Sequence, residues 1–167
     1  MAIPSPAPTI RRQYDRLIED LERQIARLRH ILGARLHCRP GCADCCQPFS
    51  VFALEAAVIA GEVKGLVLSP APDACVFLRD DLCRIYPFRP LICRSQGLPL
   101  AYADEERQCF EVSACPINFP ADSEFAMEEL LFLDEANGRL AALNIPYCRD
   151  NCLDAGQRVP LSRIFPL

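Results

Sequence analysis

The chain has 167 residues, 51% of them apolar, a net charge of −4 and 11 cysteines. That size and apolar share suit one globular domain that buries a core without covalent staples, and they exclude a disordered chain. The acidic balance speaks against nucleic acid as a partner, and no run is long enough to span a membrane.

The opening "MAIPSPAPT" has neither the charged start nor the apolar stretch of a signal peptide. It reads as a disordered Pro-rich tail over residues 1–9, with residues 10–167 as a single domain. The expected location is therefore cytoplasmic, where reducing conditions disfavour a disulfide framework. An odd cysteine count also leaves one thiol over under full pairing.

Residues 10–36 predict one long amphipathic helix. Tyr14, Ile18, Leu21, Ile25, Leu28 and Leu32 follow 4-3-4-3-4 spacing, with Thr9 as the cap and Pro8 as the boundary. Ile10, Leu17, Ile31 and Leu36 widen the apolar face. Such a face packs onto its own domain or forms a homodimer through the helix, and the spacing leaves both open. The segment from Thr9 to His37 carries seven arginines against four acids, and the stretch from Pro99 to Asn137 ten acids against one arginine. This asymmetry is either a solvated polarity or a means of docking the two segments.

A second helix is predicted over Ala53–Lys64, stopped by Gly65, followed by a loop, "LSPAPDA". The runs "CVFL" and "LCRIY" around "RDD" read as a short hairpin whose register is unsettled. "RPLICRSQG" reads as a helical turn between Pro90 and Gly97. A last helix is expected from Asp122 or Ser123 to about Asn144, with Phe125, Leu130, Leu133, Leu140 and Leu143 apolar. The fold class is thus mainly α with a small β-hairpin, and irregular cysteine-rich loops stapled by metal between the helices.

Cys38, Cys42, Cys45 and Cys46 lie within "CRPGCADCC". A C-x2-C step wraps the backbone round one ion, and Pro40 and Gly41 favour the turn it needs. Iron–sulfur clusters use similar spacings. The Cys38-x3-Cys42-x2-Cys45 spacing equals that of radical S-adenosylmethionine enzymes. Asp44 replaces their usual aromatic, however, and the chain is too short for their barrel. Adjacent Cys45 and Cys46 are expected to point apart. The second block, "CVFLRDDLCRIYPFRPLICR", supplies Cys75, Cys83 and Cys93. Cys93 is expected at a helix start that favours thiolate, with Arg84, Arg89 and Arg94 around it.

These two blocks, followed by "CPINF", resemble the CxxCxxCC cysteine-cluster family, also called YkgJ-like, whose described role is zinc or iron chelation. The resemblance covers about Cys38 to Phe119, and the tail "LAALN...RVPLSRI" is similar to bacterial members. It implies eight metal-ligating cysteines: Cys38, Cys42, Cys45, Cys46, Cys75, Cys83, Cys93 and Cys115, with Cys109 as the alternative to Cys115. Flagellin lysine methylases share a related cluster, thought to carry iron–sulfur. Cys148 and Cys152, at i and i+4, fall outside the block, and His37 is a weaker ligand candidate.

Eight thiolates suit two tetrahedral ions, or one cluster with spare thiols. No Ser-His-Asp set, phosphate loop or dinucleotide fingerprint is present. Carboxylate pairs such as Glu105–Glu106 and Glu128–Glu129 read as solvated faces. The function expected is a cytosolic metal-binding module holding zinc, with a [4Fe-4S] cluster as the alternative cofactor. The alternative function is an iron–sulfur enzyme or electron carrier. The metal ion is the expected partner, with neither nucleic acid nor membrane.

Overall fold

The long N-terminal helix is dictated by its apolar spacing and is observed as α1 (Pro8–Leu32). Pro8 occupies the first helical position, where its missing N–H costs nothing, so Ala7 precedes the helix without a side-chain cap and Thr9 lies inside it. Ile10, Tyr14, Leu17, Leu21, Ile25, Leu28 and Leu32 are buried, while Ile18 and Leu36 are partly buried and Ile31 is exposed. The helix stops at Gly33, and residues 33–35 form a 3-10 turn. The computed structural model describes every residue except 1, 2, 64, 67, 69–73, 105 and 165–167.

After the first cysteine loop come β1 (Ser50–Val51) and α2 (Ala53–Glu62). Ala53 to Ile59 are all buried, so α2 is a core helix rather than an amphipathic one. It ends before Lys64, which lies outside the described residues, as does most of the loop expected after it. β2 (Leu78–Arg79) and β3 (Leu82–Cys83) form the expected hairpin, with Leu78 opposite Cys83 and Arg79 opposite Leu82. Its two turn residues, Asp80 and Asp81, have φ of 50° and 57°. Aspartate tolerates that left-handed region, which a two-residue hairpin turn of this kind requires. α3 (Leu91–Ser95) follows Pro90 and is succeeded by Gly97, as the punctuation predicted.

The second half departs from expectation. β4 (Leu100–Asp104) and β5 (Cys109–Ser113) form an antiparallel hairpin, and β6 (Leu131–Phe132) adds parallel to β4. The last helix, α4 (Asp134–Asp150), starts about a turn after the 3-10 segment Met127–Glu129, not at Asp122 or Ser123. Leu130, Leu131 and Leu133 are all buried. That run serves a strand crossing the core, and Leu131 N donates to Pro99 O at 2.9 Å. Asp134 and Glu135 supply the acidic first turn that suits the helix dipole. α4 continues past Asn144 and through Pro146, although proline removes an intrahelical hydrogen bond. Finally β7 (Val159–Pro160) pairs antiparallel with β1.

Helix makes up 45% and strand 13% of the described residues, the mainly α architecture expected. Two apolar clusters result. The larger joins α1, α2, α3, β4, β6 and α4. The smaller contains Val51, Ile59, Cys75, Phe77 and Ile85, and is closed by Leu161 and Ile164 from the C-terminal segment. Buried polar residues fasten the joints. Leu54 N donates to Asn144 Oδ1 at 3.1 Å, joining α2 to α4. Leu91 N donates to Glu55 Oε1 at 2.8 Å, joining α3 to α2. The charge asymmetry also serves docking: Arg35 pairs with Glu129 at 2.7 Å and lies over the rings of Phe119 and Phe125. No helix among the described residues is long and apolar enough to cross a membrane.

Leu21 is 2% exposed at the centre of the α1 seam. Leu21→Ala should lower unfolding free energy by about 2–5 kcal/mol in chemical denaturation, the usual cost of emptying a core leucine site.

Candidate metal centre

The first cysteine loop is shaped by two consecutive tight turns. Cys42 N donates to Arg39 O at 3.0 Å and Cys46 N to Ala43 O at 2.8 Å. Gly41, at φ +91°, takes a backbone conformation that side-chain-bearing residues avoid. The loop is then tied to the second block, because Cys75 N donates to Cys46 O at 3.3 Å. The β2–β3 hairpin carries Cys83 back towards Cys75, and α3 brings Cys93 to the same place.

Electrostatic influence among the sulfurs shows which of them lie near one another. Cys46 feels Cys45, Cys83 and Cys75; Cys83 feels Cys75 and Cys45; Cys93 feels Cys75 and Cys83. Cys42 feels Cys38 and Cys45, so the loop's outer thiols adjoin this inner group. Cys45 and Cys46 do not point apart: the Cys46 thiol donates a hydrogen bond to Cys45. The turn that ends in Cys46, followed by Gln47 N donating to Cys45 O at 3.0 Å, folds the pair onto one side.

Local backbone amides also serve these sulfurs. Phe77 and Leu78 donate to Cys75, Ile85 to Cys83 and Asp44 to Cys42. Amides aimed at sulfur two or three residues back stabilise thiolate and are the kind of outer support that metal-bound sulfur uses. Burial pushes the Cys75, Cys83 and Cys93 thiols up, Cys93 to about 12. The expectation that the start of α3 favours a Cys93 thiolate is thus overturned, since burial and its sulfur neighbours outweigh any local dipole. Cys45 is pulled down to about 6 by the hydrogen bond from Cys46, assisted by Arg89.

Of the three arginines expected around Cys93, Arg89 is the one whose charge reaches the thiols, acting on Cys45, Cys83 and Cys93. It stacks on Tyr86 at 3.7 Å and donates to Tyr86 O at 3.1 Å. Arg94 is engaged elsewhere, with Glu22 at 2.6 Å and the carbonyls of Arg89 and Pro87 at 2.6 and 2.7 Å. It braces the loop before Cys93 against α1. Arg84 is exposed.

The donor set fits a soft cation. Several thiols crowd together where burial opposes their ionisation, and a bound cation would reverse that balance by stabilising thiolates. Among the described residues, no three His, Cys, Asp or Glu side chains are grouped closely enough to hold an ion as they stand. The set converges without closing.

Outside this group the cysteines separate. Cys115 lines a cavity of about 260 Å³ that Cys45 also lines, with Gly97, Leu100 and Ile117 among its walls. Cys109, the alternative to Cys115, is exposed at the start of β5. Cys148 is buried in the main core with its thiol 3.6 Å from Asn144 Oδ1. Cys152 lies beyond the end of α4, exposed and at φ +55°, so the two do not share a helical face. His37 engages Asn118 through its backbone N–H, at 2.8 Å.

Asn118 and Glu55 were not legible as site residues. Asn118 sits between Ile117 and Phe119 in "CPINF", and a lone amide inside an apolar motif is the signal that marks it. It donates to Cys38 Sγ at 3.2 Å.

Fold and site together define a mainly α protein with a convergent cysteine cluster. Residues 37–115 match the model of the CxxCxxCC family, described as "Putative zinc- or iron-chelating domain". No curated protein and no solved structure matches the chain.

In metal-free, reduced protein at pH 7, iodoacetamide should label Cys45 well before Cys93, because the hydrogen bond from Cys46 lowers the Cys45 thiol while burial raises that of Cys93. Peptide mass spectrometry reads the order. The unfolded Cys93 thiol titrates near 9.0 and the folded one near 12. The metal-free fold should therefore lose stability as pH rises through that window, where the unfolded state binds fewer protons.

Proposed function

We propose that this chain is a metal-chelating protein in which a thiolate-bound ion fastens the loops between the helices. The observation that carries this reading is the convergence of Cys46, Cys75, Cys83 and Cys93, with Cys45, at the margin of the smaller core. These segments come from three parts of the chain and are joined by few backbone hydrogen bonds. An ion held by four of their thiolates would cross-link them, and binding would add to folding free energy.

Zinc is the ion proposed, because four thiolates complete its tetrahedron and leave no open position. In this assignment Cys46, Cys75, Cys83 and Cys93 form the inner set. Cys38, Cys42 and Cys115 form an outer set, with Cys45 at the junction, able to serve a second ion. The amide donors to Cys42, Cys75 and Cys83 favour an iron–sulfur cluster as the second reading, since such bonds tune cluster potential. All 11 cysteines are free thiols, which suits a reducing, cytoplasmic setting. A homodimer through α1 would need a face that the fold already covers.

Protein purified without oxygen should be colourless and carry stoichiometric zinc by elemental analysis. Cys83→Ser should lose metal, while Cys109→Ser and Cys152→Ser keep it. Iron and sulfide in that preparation, with visible absorption, would replace zinc by the cluster. Full metal content in Cys83→Ser would remove the inner set from the site.

A further inference from the structure

Cys38 differs from the other thiols of its loop in how it is held. Its sulfur is fixed by side chains and backbone from beyond the family-matched segment and from the end of α3. Asn118 is 6% exposed, and its amide is fully engaged. Oδ1 accepts from His37 N at 2.8 Å, and Nδ2 donates to Gly97 O at 2.7 Å and to Cys38 Sγ at 3.2 Å. The orientation of the amide is not free to flip, because His37 N can only donate and Gly97 O can only accept. One N–H is therefore committed to the sulfur.

Gly97 completes the arrangement. It sits at φ +88°, and a Cβ there would stand 2.6 Å from Cys38 Sγ. That separation is too short for any side chain, so the sulfur occupies the space that only glycine leaves. Asn118 itself is held by the turn after Cys115, where its N–H donates to Cys115 O at 3.0 Å. The neighbouring Phe119 lies in the main core. The clamp is thus anchored in the rigid part of the molecule, whereas Cys38 lies in an irregular loop.

We propose that Asn118 is a positioning residue for Cys38: its amide donates to the sulfur and holds it against Gly97, in place to bind metal. The inference rests on the metal-chelating reading above. An N–H directed at sulfur limits how far the sulfur can swing, and a ligand held in place by such an outer partner binds metal more tightly. The carboxamide does this without adding charge to a site already rich in sulfur.

The test is a double-variant cycle on zinc affinity, measured in reduced protein by competition with a chromophoric chelator. Asn118→Asp retains the oxygen that accepts from His37 N and removes both N–H groups, the one directed at sulfur and the one donated to Gly97 O. It should weaken zinc binding about 10–100-fold, the range for loss of an outer-shell partner. Cys38→Ala should weaken it at least as much, and adding Asn118→Asp to Cys38→Ala should weaken it no further, because the two act as one unit. With cobalt in place of zinc, Asn118→Asp should shift the thiolate-to-metal charge-transfer band, which a purely structural role would leave in place. If Asn118→Asp does not fold, Asn118→Ser enters the same cycle. Multiplying effects in the double variant would overturn the inference and make Asn118 structural. An unchanged affinity in Asn118→Asp beside a weakened Cys38→Ala would also overturn it and leave the chelating reading standing. Unchanged zinc affinity and stoichiometry in Cys38→Ala would remove Cys38 from the site and the inference with it.

Discussion

The crowding of buried sulfur around a single guanidinium is the constraint on which this structure turns. Cys75, Cys83 and Cys93 are each pushed towards the neutral thiol by burial, and each ionised neighbour would push further. Arg89 offsets this for Cys83 and Cys93, from a position fixed by Tyr86. A local excess of potential negative charge of this kind is stable as thiols, or as thiolates around a cation. The amides directed at Cys42, Cys75 and Cys83 oppose burial without overcoming it, so these thiols stay raised.

The rest of the fold is organised so that these loops need little secondary structure of their own. The larger core, built on the buried seam of α1, contains one of the 11 cysteines, Cys148. Each fully buried Leu or Ile of that seam contributes about 1.5–3 kcal/mol, which makes this half independent of sulfur chemistry. The smaller core is thinner, includes Cys75, and has Cys46 and Cys83 packed on it. It is closed by Leu161 and Ile164, while β7 pairs with β1 directly after the first cysteine loop. The C-terminal segment thus bears on the geometry of thiols more than a hundred residues earlier in the chain.

Buried polar side chains carry the connection between the two parts. Glu55 is 2% exposed and accepts from Phe52 N at 3.3 Å and Leu91 N at 2.8 Å. It thereby sets where α3 begins and so where Cys93 lies. Asn144 does the same for α2, and Asn118 for the end of α3 and the start of the cysteine loop. A buried polar group is costly unless all its bonds are made, so each of these residues permits only one relative placement of the segments it joins. Arg94, spent on Glu22 and two carbonyls, extends the same bracing to α1.

The sequence by itself determined α1, α2, α3 and the presence, though not the register, of the β2–β3 hairpin, because each is governed by local rules: apolar spacing, proline and glycine punctuation, and β-branched or aromatic runs around a polar turn. It also determined the cysteine cluster, whose spacing in "CRPGCADCC" and "LCRIYPFRPLICR" is itself the signature. Tertiary structure alone decided the β4–β5–β6 sheet and the late start of α4. Leu130, Leu131 and Leu133 read equally as helix or strand until Pro99 and Leu100 offer a partner backbone. It also decided which thiols meet, that Cys45 and Cys46 turn to the same side, and that Asn118 reaches Cys38 across 80 positions. Those relations are long-range: they depend on the path the backbone takes between segments, which no local pattern of residues encodes.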